Sequence, residues 1–420
     1  MLSLYIHIPF CRSRCIYCGF YSTTALDLRQ RYVDAVCREM EMRLEERGKR
    51  EPLSTIYLGG GTPSQLTAEQ LEQLFIYINK VYNSTEVTIE VNPDDVTAEF
   101  AARLAQLPVN RVSMGVQTFD DERLRFLRRR HTASQAAEAV ERLRAAGFRN
   151  LSIDLMYGFP GESLSDWESD IDAALALNVE HISAYCLMIE EGTPLHKMFT
   201  VDGLSSCVPA VASGKAERTD DYSGNQHNEN CPQCVDEETE RQMYYTLIDR
   251  LEAAGYEHYE ISNFARKGFR SRHNSNYWNG TPYIGLGAAA HSYDGRSRSW
   301  NVADIKSYIE GIEQGERRFE EEVLDEDTRY NDAVTVRLRT KEGLDLATLS
   351  DRHRDYCMEN ARRYLDDGLL EIDSATNPTV GDLPSSAVGD LRSPTPSQRL
   401  RLTRRGLFVS DMVMSDLMMV

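Results

Sequence analysis

The feature that most limits what this chain can become is a repeat. Six short apolar or β-branched runs, at residues 4–8, 55–58, 87–91, 111–116, 151–155 and 181–187, alternate with five stretches of helical periodicity, at 28–46, 68–82, 98–105, 134–146 and 165–177. Strand and helix alternating at roughly 30-residue intervals is the pattern of successive βα units. Asp and Glu are plentiful near the helix starts, and Gly147 follows the fourth helical stretch where a C-cap glycine belongs. Six parallel strands with helices outside make an α/β fold, a partial (β/α)6 barrel. Reacting groups in such barrels project from the C-terminal ends of the strands.

That rule can be checked along the sequence, because five strands end in chemically unusual residues. The first runs into Cys11, Cys15 and Cys18, in the string PFCRSRCIYCGFYS, and the second into Gly59, Gly60, Gly61, Thr62 and Pro63. Glycines there let a ligand reach backbone amides closely. The third strand ends in Glu90 before Asn92 and Pro93, and the fourth in Gly115, Val116 and Gln117 with Arg129 further along. The fifth carries Asp154 ahead of Tyr157, Gly158, Phe159, Pro160 and Gly161. Three grouped thiolates are one short of the four that close a structural zinc site or an ordinary iron–sulfur cluster, which leaves one metal position open. A zinc knuckle completed elsewhere, with His7 a candidate, or three buried cysteines are the blander alternatives.

The trio with its CxxxCxxC spacing, preceded by Tyr5, Ile6, His7, Ile8, Pro9 and Phe10, resembles the radical S-adenosylmethionine (radical SAM) enzymes. GGGTPS at 59–64, EVNPDD at 90–95, GVQTF at 115–119 and IDLMYGFPG at 153–161 resemble, in the same order, the branch that holds the oxygen-independent coproporphyrinogen III oxidases and the HemW haem chaperones. The resemblance implies that Cys11, Cys15 and Cys18 hold a [4Fe–4S] cluster whose fourth iron binds S-adenosylmethionine. It implies that Gly60, Gly61 and Thr62 cradle the methionine end, that Glu90 and Arg129 meet its charged groups, and that Gln117, Asp154 and Tyr5 help hold the cofactor. Carboxylates suit an ammonium or ribose hydroxyls, and a guanidinium fork suits a carboxylate.

Within the branch, the oxidases carry a further cysteine two residues after the trio, where this chain has Phe20, and an extended segment before the first strand. Both differences favour the HemW family. The string His273, Asn274, Ser275, Asn276, Tyr277, Trp278 resembles the HNxxYW signature of that family. His273 is thereby a candidate axial ligand for haem, with Tyr277 and Trp278 packing on the porphyrin. Alternatively, the string is a polar turn whose aromatics cover the open barrel edge. The implied task is to bind haem and deliver it to acceptor haemoproteins, the membrane surface being one candidate location, with an electron-donor protein as a further partner. The alternatives are radical decarboxylation of coproporphyrinogen III and radical chemistry on another substrate.

Charge and apolar patterning narrow the setting. With 47 Lys+Arg against 66 Asp+Glu the net charge is −19, which argues against nucleic acid as a partner. Apolar runs fall short of the roughly 20 residues needed to span a membrane, and nine cysteines without a secretory signal do not read as a disulfide framework; a cytoplasmic protein is expected. The expected division is a barrel over 1–200, a flexible insertion over 201–235, a barrel-closing region with the HNxxYW string over 236–320, and a small α+β winged-helix-like C-terminal domain of the oxidase (HemN) type over 321–420. Cys231 and Cys234 in the insertion are half a metal site, a redox pair or two exposed loop thiols.

Overall fold

The structure, a computed structural model, describes residues 2–47, 53–81, 85–200, 234–374 and 398–420. Cys231, most of the expected insertion and most of the Pro- and Ser-rich stretch 373–398 lie outside these residues. The strands are β1 (Leu2–Ile8), β2 (Leu53–Gly60), β3 (Glu86–Val91), β4 (Arg111–Gln117), β5 (Leu151–Tyr157), β6 (His181–Cys186), β7 (Glu257–Glu260), β8 (Asn263–Ala265), β9 (Tyr283–Leu286), β10 (His291–Tyr293), β11 (Ser297–Asn301) and β12 (Phe319–Val323). β1 to β6 run parallel in sequence order, and five helices follow the pattern read from the sequence: α1 (Arg29–Arg47), α2 (Ala68–Val81), α3 (Ala98–Leu104), then, beyond a short unpredicted α4 (Asp121–Phe126), α5 (Ala133–Ala145) and α6 (Leu164–Ala176).

The sheet is wider than six strands. β9 adds parallel to the outer side of β1, antiparallel β10, β11 and β12 continue from it, and the hairpin β8–β7 extends the β6 edge, giving twelve strands among the described residues. The string YEISNFAR, at 259–266, forms most of that hairpin. A further short helix, α7 (Pro194–Thr200), follows β6, and α8 (Glu237–Ala253) packs on α6, with the Trp167 indole N–H donating to the Met243 carbonyl at 3.0 Å.

The two faces of the sheet differ in chemistry. Leu4, Ile6 and Ile8 of β1 have no exposed surface and share one apolar cluster with Tyr32, Val33, Val36 and Met40 of α1. Each such side chain contributes about 1.5–3 kcal/mol through burial. The alternate residues Ser3, Tyr5 and His7 face the other way. Register partners share a face, so Ser3, Thr55 and Glu86 form one row, and Tyr5, Tyr57, Thr88 and Arg111 another. Glu90, Ser113, Ser152 and His181 form a third, and Gly115, Asp154 and Ser183 a fourth. The inside of the partial barrel is thus polar and aromatic rather than a packed apolar core.

Residues 326–417 form a second layer system. α11 (Glu326–Leu338) and α12 (Asp351–Asp366), with α9 (Arg272–Trp278) and α10 (Ile305–Glu313) before them in the chain, pack with a separate three-stranded sheet in the order β13 (Leu344–Asp345), β15 (Gln398–Leu402), β14 (Leu370–Ser374). Its apolar cluster includes Tyr330, Val334, Leu338, Leu400, Val413 and Leu417, the last two from the C-terminal helix Ser410–Leu417, which the sequence reading left unassigned.

Candidate functional site

The C-terminal ends of β1 to β5 surround one cavity of about 200 Å³. Cys11, Cys15, Cys18, Gly60, Gly61, Thr62, Glu90, Gln117, Arg129 and Asp154 all line it, so ten of the cofactor and cluster residues expected from the motifs meet at one place. Tyr5 does not: it sits one layer below, its ring 6.2 Å from that of Tyr57 and its hydroxyl 3.0 Å from His7 Nδ1. The sequence reading missed Asn92 and Ser113 as lining residues. The signal was available, since Ser113 lies two residues before Gly115 on the same strand face.

The cysteine loop is tied at its base, where the Cys11 amide donates to the Thr23 carbonyl (2.9 Å) and the Thr23 amide to that of Pro9 (2.7 Å). Ile16 pins its middle: its amide donates to the Leu127 carbonyl and its carbonyl accepts from Leu195, inside an apolar cluster with Met156, Phe159 and Phe199. Burial pushes the Cys11 thiol up, partly offset by the Thr62 hydroxyl 3.5 Å away, and burial raises Cys18 as well. Among the described residues no three His, Cys, Asp or Glu side chains converge closely enough to share one metal ion. Three thiols spread around one cavity suit a multi-iron cluster, whose corners each take one thiolate, better than a single zinc ion.

Around the thiols the strand ends supply the polar wall. Gly60 has φ +111, and a Cβ there would lie 2.4 Å from the His7 ring, so neither the backbone nor the space admits a side chain. Its amide donates to Glu90 Oε2 (3.0 Å), and the Tyr57 hydroxyl to Glu90 Oε1 (2.7 Å). Burial nevertheless pushes the Glu90 carboxyl up to about 7, reinforced by the charge of Asp154; burial likewise takes Asp154 up to about 6 despite the Ser183 hydroxyl and Arg111. Arg111 is 1% exposed, and its Nε has no hydrogen-bond partner. It is a cation held beneath both carboxylates. Arg129 donates to the Gly115 carbonyl (2.5 Å), to Asn92 Oδ1 and to Cys15 Sγ (3.7 Å), which bridges the cysteine loop to the ends of β3 and β4. Gln117 takes φ +73 at a bulge where the β4–β5 register shifts, a left-handed conformation that turns its side chain toward Gly115 and Arg129. Phe20 lies at the mouth and is 70% exposed.

The HNxxYW string lies elsewhere. Residues 272–278 are one helix, α9, not a turn, capped by Ser271 and docked against the N-terminal ends of β2 and β3. The Glu86 carboxylate accepts from the amides of His273 (2.9 Å) and Arg272 (3.2 Å), and Asn276 donates to Ser3 and Ser54. His273 is 1% exposed, with Nδ1 2.8 Å from the Thr55 hydroxyl, Nε2 3.0 Å from the Tyr277 hydroxyl, and its ring stacked on Tyr57 at 4.9 Å. Both ring nitrogens are engaged, so iron ligation at His273 requires one of these bonds to open. Tyr277 packs edge-on against Tyr283, and the Trp278 ring lies under the Arg339 guanidinium. The string plugs the floor of the barrel, at the end opposite the cavity. Cys234 packs beside the Ile16 cluster.

Comparison with known proteins agrees with this arrangement. Residues 5–174 match the Radical SAM superfamily. The chain is 38% identical over 318 residues to the heme chaperone HemW of Bacillus subtilis, covering 74% of this chain and 76% of that one. It is 33% identical to the heme chaperone HemW of Mycobacterium tuberculosis over 99% of this chain and 94% of the other. Its fold is similar to that of the coproporphyrinogen III oxidase HemN of Escherichia coli, with a TM-score of 0.73 and 20% identity over 99% of this chain and 89% of that one. No helix of the described residues is long and apolar enough to cross a membrane.

Proposed function

The chain belongs to the radical SAM superfamily and, within it, to the HemW family, and from that premise we propose that it is a haem chaperone, binding haem and handing it to acceptor haemoproteins. The observation that carries the reading is the gathering of three thiols, a side-chain-free glycine turn, two carboxylates and a guanidinium around one cavity, with Phe20 standing where the oxidases have a fourth cysteine. In this proposal Cys11, Cys15 and Cys18 are the ligands of a [4Fe–4S] cluster, and Gly60, Gly61, Thr62, Glu90, Gln117, Arg129 and Asp154 hold S-adenosylmethionine. When bound, the pair supplies one-electron chemistry, fed by an electron-donor protein.

The residues themselves have defined tasks. Gly60 and Gly61 keep the turn free of side chains, so a ligand can approach the backbone closely, while their amides are held by Glu90 Oε2 and the Ile8 carbonyl. Glu90 and Asp154, held at the edge of ionisation by burial, become favourable as anions once a cation enters beside them. Arg129 keeps the cysteine loop and the β4 end at one spacing. Tyr5, Tyr57 and His273 form a stacked floor that holds the Glu90 carboxylate from below. We also propose that residues 321–420 act as a separate small domain.

The test is anaerobic. The purified, iron-reconstituted chain given haem develops a Soret band, and given coproporphyrinogen III, S-adenosylmethionine and a reductant it forms no protoporphyrinogen IX. Steady turnover in that second reaction would replace the chaperone reading with the oxidase.

A further inference from the structure

The concave face of the sheet does not end at β1. Tyr5 pairs with Gly285 of β9 and Ser3 with Tyr283, which pairs with Tyr293 of β10; Tyr293 and, two residues before it on the same strand, His291 therefore share the face of Ser3 and Tyr5, and His291 pairs with Trp300 of β11. Ser292, the intervening residue, points to the helix side, where Arg43 donates to its hydroxyl. His291 therefore stands on the inner face, and Gly285 puts no side chain between it and Tyr5.

His291 is the one exposed histidine among the described residues, and its ring nitrogens have no hydrogen-bond partner among them. The ring stacks on the Trp300 indole, with centroids 5.7 Å apart and planes 27° from parallel. In the neighbouring row the same face carries Tyr283, Tyr293 and Arg298. The patch adjoins the cofactor cavity: His7 feels the charge of His291 on one side, and on the other its ring lies against Gly60, a cavity residue.

Resting on the haem-binding reading above, we infer that His291 is the axial ligand of the haem iron and Trp300 the aromatic wall beside it, on the concave face next to the cavity. A single imidazole cannot hold a bare metal ion, and among the described residues no set of three donors converges here. An iron porphyrin brings four nitrogens of its own and asks the protein for one axial donor with a free lone pair. Trp300, stacked on the imidazole 27° from parallel, fixes the ring's orientation and would meet the porphyrin edge-on, and Arg298 offers a cation to a propionate, although it already pairs with Asp332. His273, closed off on both nitrogens, has no such lone pair.

The experiment titrates haem into the full chain, anaerobically, and reads the Soret band and the spin state by electron paramagnetic resonance. His291→Ala should lose the imidazole-ligated spectrum with affinity falling roughly tenfold or more, and added free imidazole should restore that spectrum. His291→Met should show a different, sulfur-ligated spectrum, and His273→Ala should keep the wild-type band position. If His291→Ala keeps the wild-type spectrum and affinity, or if His273→Ala alone loses them, the proposal is wrong while the chaperone reading stands. A wild-type chain that takes up no haem overturns both.

Discussion

Replacing Glu90 by Gln should make this protein more stable in alkaline buffer and less stable in acid. The carboxyl titrates near 7 in the folded chain against an ordinary 4.5, with burial the largest cause. At about 1.4 kcal/mol per pH unit, keeping it ionised costs the fold about 3 kcal/mol. The sign follows from proton counts. Between 4.5 and about 7 the folded chain binds the extra proton, so stability is highest below 4.5, falls as pH rises through this window, and is flat above it. Gln removes that loss but can accept from only one of the two donors, the Tyr57 hydroxyl and the Gly60 amide, which costs about 1 kcal/mol. The variant should thus gain about 2 kcal/mol at about pH 8.5 and lose about 1 kcal/mol at about pH 3.5. Urea unfolding of the iron-free chain across that range measures both. A difference between variant and wild type that does not change sign with pH would show that the carboxylate is not paying a burial penalty, and the reading of it as poised for a cation would fail.

Three further outcomes can be checked on the same preparations. Each of Cys11→Ala, Cys15→Ala and Cys18→Ala should abolish the visible iron–sulfur absorbance after reconstitution, whereas Cys234→Ala should leave it intact. S-adenosylmethionine affinity, measured by equilibrium dialysis on the reconstituted chain, should weaken as pH falls through about 7 and again through about 6; Glu90→Gln and Asp154→Asn should each remove one inflection. Gly60→Ala, whose Cβ would meet the His7 ring at 2.4 Å, should cost about 2 kcal/mol or more in urea unfolding. Gly147→Ala, which has similar φ but open space, should cost about 1 kcal/mol.

Much of this fold was legible because β1 to β6 and the helices between them carry their own periodicity, and the site because its residues sit at strand ends, where a parallel barrel must collect them. What escaped was the meaning of the alternation. Strands covered by helices on both faces are continuously apolar, whereas Ser3, Tyr5 and His7 interleave with Leu4, Ile6 and Ile8, which already implied a polar interior. Tyr5, which the resemblance sets among the residues that help hold the cofactor, belongs to the layer beneath the cavity wall, with Tyr57 and His273. The HNxxYW string was read by its residue types, but its position is set by Glu86, Thr55 and Ser3, partners 187, 218 and 273 residues away in the chain. No local pattern reveals such contacts. β7 to β12 were missed because strands of three to five residues leave too little alternation to read.

The central claim, that this chain carries haem rather than making its precursor, is tested most directly by a hand-over measurement. The anaerobic, reconstituted chain is loaded with one equivalent of haem, separated from free haem, and mixed with an apo-haemoprotein of distinct Soret position. The account predicts that the donor band decays as the acceptor band grows, and that the chain returns to its haem-free spectrum with its iron–sulfur absorbance intact. A chain that retains no haem after separation, or whose band persists unchanged beside the apo-acceptor, would contradict it.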